Sequence, residues 1–180
     1  EWPDMKVRLA SVTDHWATFA VVGPKSRKVL QKVCRDVDFA NEAFPFMSYR
    51  DGTVADVKAR IMRISFSGEL AYEVNVPANA GRAVWEALME AGAEFGITPY
   101  GTETMHVLRA EKGYIIVGQD TDGSITPFDL GMGGLVAKTK DCLGKRSLTR
   151  SDTAKEGRKQ LVGLLTDDPA TVLPEGGQIL

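Results

Sequence analysis

Residues 62–77 hold two runs of strict alternation separated by a short polar break, and no other stretch constrains the fold as strongly. Met62, Ile64 and Phe66 alternate with Arg63, Ser65 and Ser67. After Ser67-Gly68-Glu69, Leu70, Tyr72, Val74 and Val76 alternate with Ala71, Glu73 and Asn75. A period of two broken by a glycine predicts a β-hairpin with a three-residue loop in which Gly68 takes a positive φ. In that register Phe66 faces Leu70, Ile64 faces Tyr72 and Arg63 faces Glu73, so one face is apolar and the other polar. On the polar face Glu73 stands between the small residues Ala71 and Asn75, which leaves its carboxylate open to a flat ligand. The plainer reading is a cross-strand ion pair with Arg63 on a solvated face, worth about 0–1 kcal/mol.

Other elements can be placed around this hairpin. Residues 16–22 read as a strand ended by Gly23-Pro24, with Pro24 opening a helix whose apolar face is Ser26, Val29, Leu30 and Val33. Lys25, Arg27 and Lys28 form its wet side. Strand-like patterns at 46–49 and 57–66 flank Asp51-Gly52, a tight-turn signal. Asn79 caps a helix with the stripe Val84, Leu88, Ala91 and Phe95, closed by Gly96 and Pro99. A further helix over 101–112, stopped by Gly113, places Arg109 near Met105 and beside Leu108, so that its stem runs along apolar surface. The plain account of such an arginine is a snorkelling side chain with its head in water or on a nearby carboxylate.

This order predicts an α+β fold, antiparallel sheets with packed helices in ferredoxin-like split βαβ units. The expected division is a strand and helix lobe over 1–100, which holds the hairpin, and a helix, loop and start of a C-terminal lobe over 101–180.

Charge and cysteine usage exclude several classes. Lys and Arg number 22 against 24 Asp and Glu, a net charge of -2 with no long basic run, which argues against nucleic acid or an anionic membrane as partner. Cys34 and Cys142 lack metal-ligand spacing and read as reduced thiols. No apolar run approaches the roughly 20 residues of a membrane helix, and no signal-peptide pattern is present, so the chain reads as cytoplasmic.

Asp120-Thr121-Asp122-Gly123 lacks the other ligands of a calcium loop, and Gly131-Met132-Gly133-Gly134 and Gly144-Lys145 do not complete nucleotide-binding motifs. His106 is given no role. Neither a catalytic residue nor a metal site is predicted. The chain starts at Glu1 rather than Met, and residues 176–180 look like a turn entering a strand without a partner, so it reads as a fragment.

Arg63, Phe66, Gly68, Glu69, Ala71, Tyr72 and Glu73 resemble the Arg-x-x-Tyr-x-Gly-Glu-x-Gly-Tyr-Glu motif of the folate-binding aminomethyltransferase family, the glycine cleavage T-protein and its relatives. Phe66 replaces the family's Tyr and Ala71 a Gly. Residues 22–30, 108–113 and 142–148 are similar to further segments of that family. The resemblance implies an aminomethyltransferase folate-binding fold with tetrahydrofolate as ligand. It implies that Glu73 holds the pterin edge, that Arg109 meets the glutamate tail, and that Phe66 contributes ring packing without a hydroxyl.

Residues 9–17, 109–123 and 161–169 resemble the α subunits of heterotetrameric sarcosine oxidases. That resemblance implies other subunits as partners, with FAD, FMN and NAD held elsewhere in the complex. Sarcosine would be oxidised at a flavin on another subunit, and the one-carbon unit would pass to tetrahydrofolate here as 5,10-methylenetetrahydrofolate. The family's acidic residue near the reacting amine corresponds to a position before Glu1. The alternatives are a standalone aminomethyltransferase, a folate-binding iron–sulfur assembly factor, whose motif residues 112–120 partly resemble, and a structural interface domain.

Overall fold

The computed structural model describes residues 3–174 and 176–178. They fall into two compact units, residues 1–114 and 115–180. The first unit contains β1 (Trp16–Val22), α1 (Ser26–Val33), β2 (Ser48–Val54), β3 (Val57–Arg63), β4 (Ala71–Pro77), α2 (Gly81–Gly92) and α3 (Thr102–Glu111). The sheet order is β1-β4-β3-β2, with every neighbouring pair antiparallel. β1 and β3 therefore run the same way and are split by β4. The fold is α+β, an antiparallel sheet with packed helices.

The even residues of β4 organise the core. Tyr72, Val74 and Val76 are fully buried and share one cluster with Ile61 and Ala59 of β3, Val29 and Leu30 of α1, and Val84, Leu88 and Ala91 of α2. Removing these apolar faces from water is the main force holding the helices to the sheet. Tyr72 meets Phe39 at 5.5 Å and Phe44 at 5.6 Å between ring centroids, both edge-on. Its buried hydroxyl accepts a hydrogen bond from Arg27 Nε at 3.2 Å, so Arg27 satisfies a core group rather than lining a wet face.

The hairpin register differs from the sequence expectation by one residue. Met62 pairs with Glu73 and Ile61 with Val74, and the connection spans residues 64–70 instead of Ser67-Gly68-Glu69. A one-residue slip sends every side chain to the other face. The buried row of β3 is Ala59 and Ile61, and Phe66 lies in the connection rather than on a strand. Gly68 does take a positive φ, +81°.

Asp51-Gly52 also departs from expectation, because it lies inside β2, while the β2–β3 turn is Ala55-Asp56, at φ of 47° and 64°. Gly52 answers a close approach instead, since a Cβ there would lie 2.4 Å from Val37 Cγ2. Asn79 falls in a 3-10 turn, Ala78–Ala80, and α2 has Ala80 as its N-cap with no side-chain cap bond. α1 starts at Ser26, two residues after Pro24.

The second unit is built of turns, with 3-10 segments at Gly133–Leu135 and Arg146–Thr149, so residues 142–148 open no α-helix. Its internal anchor is Asp129. Arg158 donates Nε to Oδ1 at 2.8 Å and Nη2 to Oδ2 at 2.6 Å, and Thr126 donates its N–H and hydroxyl to Oδ2. These donors hold the Asp129 carboxyl well below the usual carboxylate range, Arg158 foremost. Gly176, Gly177 and Gln178 form no strand, and Ile179 and Leu180 of the expected terminal strand lie outside the described residues. Among the described residues no helix is long and apolar enough to cross a membrane.

Candidate functional site

Glu73 lies in the middle of β4, opposite Ala20 on β1 and Met62 on β3. The surrounding floor is small and pinned. Ala71 is buried, and Asn75 is held by Thr18 Oγ1, which donates to its Oδ1 at 2.7 Å, and by its own Nδ2, which donates to the Arg60 carbonyl at 3.2 Å. Arg63 does not reach Glu73. Its Nη1 donates to the Phe44 carbonyl at 2.6 Å, and the one-residue change in register puts it on the other face. Among the described residues no donor is bonded to the Glu73 carboxylate, so the expected ion pair is absent.

Arg109 is the buried residue of α3, 8% exposed, in the last turn. A cation there is favoured by the negative end of the helix dipole. The sequence closes the helix at Gly113, whose φ of +78° lets its N–H reach the Ala110 carbonyl at 3.0 Å while the Tyr114 N–H reaches the Arg109 carbonyl at 2.8 Å. That turn swings the Tyr114 carbonyl back onto the side chain, where Arg109 Nη1 donates to it at 3.2 Å. The snorkelling arrangement with the head in water is not what forms.

The connection 64–70 seats against the end of α3. A Cβ on Gly68 would lie 2.0 Å from Lys112 Cγ, and the Phe66 ring lies 6.5 Å from His106. Phe66 is 45% exposed, while the Ser65 and Ser67 hydroxyls are buried without partners. The structure thus brings Phe66 against the helix that carries Arg109. Glu73 shares the hairpin with Phe66, and no hydrogen bond or ion pair joins it to Arg109 among the described residues.

A cleft of about 580 Å³ runs along β1, lined by Thr18, Ala20, Val22, Trp85, Phe95 and Tyr100 among others. Ala20 of the cleft is also the cross-strand partner of Glu73, which does not itself line the cleft. Burial pushes the Tyr100 hydroxyl above its usual range. Sequence reasoning missed this cleft because its walls come from separate segments, and the Gly96 to Pro99 break was its one local signal.

An α+β sheet with an open carboxylate on its central strand is the setting in which family membership can be stated. The chain belongs to the GCVT N-terminal domain family, which it matches over residues 1–140. It is 56% identical, over 100% of its length, to the sarcosine oxidase subunit alpha of Corynebacterium sp. (strain P-1), and it spans 19% of that protein. It is 45% identical to the sarcosine oxidase subunit alpha of Rhizobium meliloti (strain 1021), spanning 18% of it. Over 161 residues it is 34% identical to the aminomethyltransferase of Halothermothrix orenii, spanning 44% of that chain.

Proposed function

We propose that this chain is a tetrahydrofolate-binding domain of a multi-subunit sarcosine oxidase. The observation that carries the reading is the unpaired Glu73 carboxylate on a small-residue floor, in a chain 56% identical to a sarcosine oxidase subunit alpha. An ionised carboxylate is acceptor-only and takes two parallel N–H bonds, the pattern offered by the amino-pyrimidinone edge of a pterin. A guanidinium donates a planar fork suited to a carboxylate, the group at the opposite end of folate. The chemistry of Glu73 and Arg109 suits a ligand with a donor edge at one end and an anion at the other, and half-exposed Phe66 adds apolar surface.

When bound, tetrahydrofolate supplies the amines that take up a one-carbon unit. In the complex, sarcosine loses two electrons to a flavin on another subunit, FAD, FMN and NAD being held elsewhere in the complex. Glycine is released, and the carbon ends as 5,10-methylenetetrahydrofolate. This chain contributes binding, orientation and exclusion of water, and no redox group. Its partners are folate and the other subunits, in the cytoplasm. The 34% identity to an aminomethyltransferase favours, as second reading, a transferase acting outside an oxidase.

The test is calorimetric titration with 5-formyltetrahydrofolate of the wild type, Glu73→Ala and Arg109→Ala, each checked for folding by circular dichroism. Saturable binding that weakens at least tenfold in each variant is expected. A folded wild type that binds none of it overturns the reading. Copurification with flavin-bearing subunits separates the oxidase from the transferase, which would bring down a lipoylated carrier protein.

A further inference from the structure

The second unit holds a cleft of about 480 Å³ that combines aliphatic and basic side chains. Ile125, Pro127, Leu135 and Leu148 line it together with Lys140 and Arg150. Leu135, at the end of the 3-10 turn Gly133–Leu135, keeps 80% of its surface open, so this apolar lining is not consumed by the packing of the unit. Lys145 Nζ donates to the Lys138 carbonyl at 3.5 Å and joins the two basic segments that border the cleft.

The charge there is one-sided. From Lys138 to Lys159 eight lysines and arginines stand against three acids, a surplus of five positive charges in a chain whose net charge is -2. Arg150 is paired with Asp152 at 2.9 Å and Arg158 with Asp129 at 2.6 Å. Lys138, Lys140 and Arg146 are exposed and have no carboxylate partner among the described residues. Unpaired like charges beside one another raise the local positive potential, which an anionic partner relieves. Among the described residues no aromatic side chain lines the cleft, so it lacks the stacking platform with which a basic groove holds single-stranded nucleic acid. Aliphatic walls suit aliphatic side chains instead.

We propose that this cleft docks an acidic peptide segment of a partner chain, with its aliphatic side chains on Leu135 and Leu148 and its carboxylates on Lys138, Lys140 and Arg146. The inference is independent of the folate reading, since every group it uses lies in the second unit. The charges set encounter rate and salt dependence, while the aliphatic contact holds the complex together.

Cys142 lines the same cleft and is exposed, which makes its thiol a built-in reporter. Fluorescein-labelled peptides of alternating Glu and Leu, of Glu alone and of alternating Lys and Leu, and a labelled oligothymidylate strand, are titrated with the whole chain by fluorescence anisotropy. The Glu-Leu peptide is expected to bind saturably, more tightly than the all-Glu peptide, to weaken as salt is raised, and to slow iodoacetamide alkylation of Cys142 several-fold. The Lys-Leu peptide and the oligothymidylate should not bind. Lys140→Glu combined with Arg146→Glu should weaken the Glu-Leu peptide about tenfold, and Leu135→Ser should remove most of its advantage over the all-Glu peptide, with circular dichroism checking the fold of each variant. The inference is overturned if the Glu-Leu peptide shows no saturable binding, if it binds and leaves Cys142 alkylation unchanged, or if the Lys-Leu peptide binds as tightly. Oligothymidylate that binds as tightly as the Glu-Leu peptide also overturns it, in favour of nucleic acid.

Discussion

Glu73 lies directly opposite Met62, while Arg63, the next residue along β3, gives its guanidinium to the Phe44 carbonyl. The acidic and basic groups of the hairpin are thereby uncoupled. Glu73→Gln should change unfolding free energy by less than about 0.5 kcal/mol, since no partner is lost. Arg63→Ala should cost about 1–3 kcal/mol, because it strips a charged donor from a part-buried carbonyl. Urea unfolding of the two variants checks this, and equal losses would restore the ion pair that the register denies.

Gly68 is held by two constraints, a φ of +81° and the approach of Lys112, whose Cγ and Cβ would lie 2.0 and 2.8 Å from an added Cβ. Gly68→Ala should therefore destabilise by about 1–2 kcal/mol from backbone strain alone, with a steric cost in addition. In a Lys112→Ala background the steric part should shrink while the backbone part stays. Thermal melts of the single and double variants measure both.

The second unit should be acid-sensitive through Asp129. Its folded-state carboxyl is held below the usual range, chiefly by Arg158, so the unfolded chain binds the proton first, near a pH of about 3.9. The stabilisation is fully present above that pH and is lost as the pH falls through the lower folded-state value. Hydrogen exchange of the Leu161 amide, bonded to the Asp129 carbonyl at 2.8 Å, gives a local readout. Asp129→Asn should reduce Leu161 protection at neutral pH, and the gap to wild type should narrow on acidification. A gap independent of pH would refute the assignment.

The two thiols should differ sharply in reactivity. Burial pushes the Cys34 thiol up to about 11, with Asp36, to which it donates at 3.3 Å, adding to the effect. Cys142 is exposed. Iodoacetamide at pH 8 should add one group to the native protein, on Cys142, and two after denaturation, as read by mass spectrometry.

What could be read from the sequence was local. The strand at Trp16–Val22 was legible to the residue, because Gly23-Pro24 ends it, and so was the apolar row Tyr72, Val74 and Val76. The register of the hairpin was not, because Met62, Ile64 and Phe66 offer one alternating phase and Ala59 and Ile61 the other, and packing against the helices chose the second. Gly52 looked like a turn residue when its function is to admit Val37, a contact that no local pattern announces. Helical spacing foretold that the stem of Arg109 would meet apolar surface. It did not foretell the Tyr114 carbonyl, which arrives only through the turn at Gly113. Asp129 and Arg158 meet across a sequence separation of 29, beyond the reach of any periodicity.

β4 is clamped between β1 and β3, and its even residues Tyr72, Val74 and Val76 are the ones that join the core cluster. The folding information of β4 and the recognition proposed for Glu73 thus fall on alternate letters of one short segment. Replacing Glu73 should leave the collapse of the chain untouched, because its side chain is no part of the buried cluster. A lineage carrying this strand is able to vary the odd position Glu73 by single substitutions without passing through an unfolded ancestor.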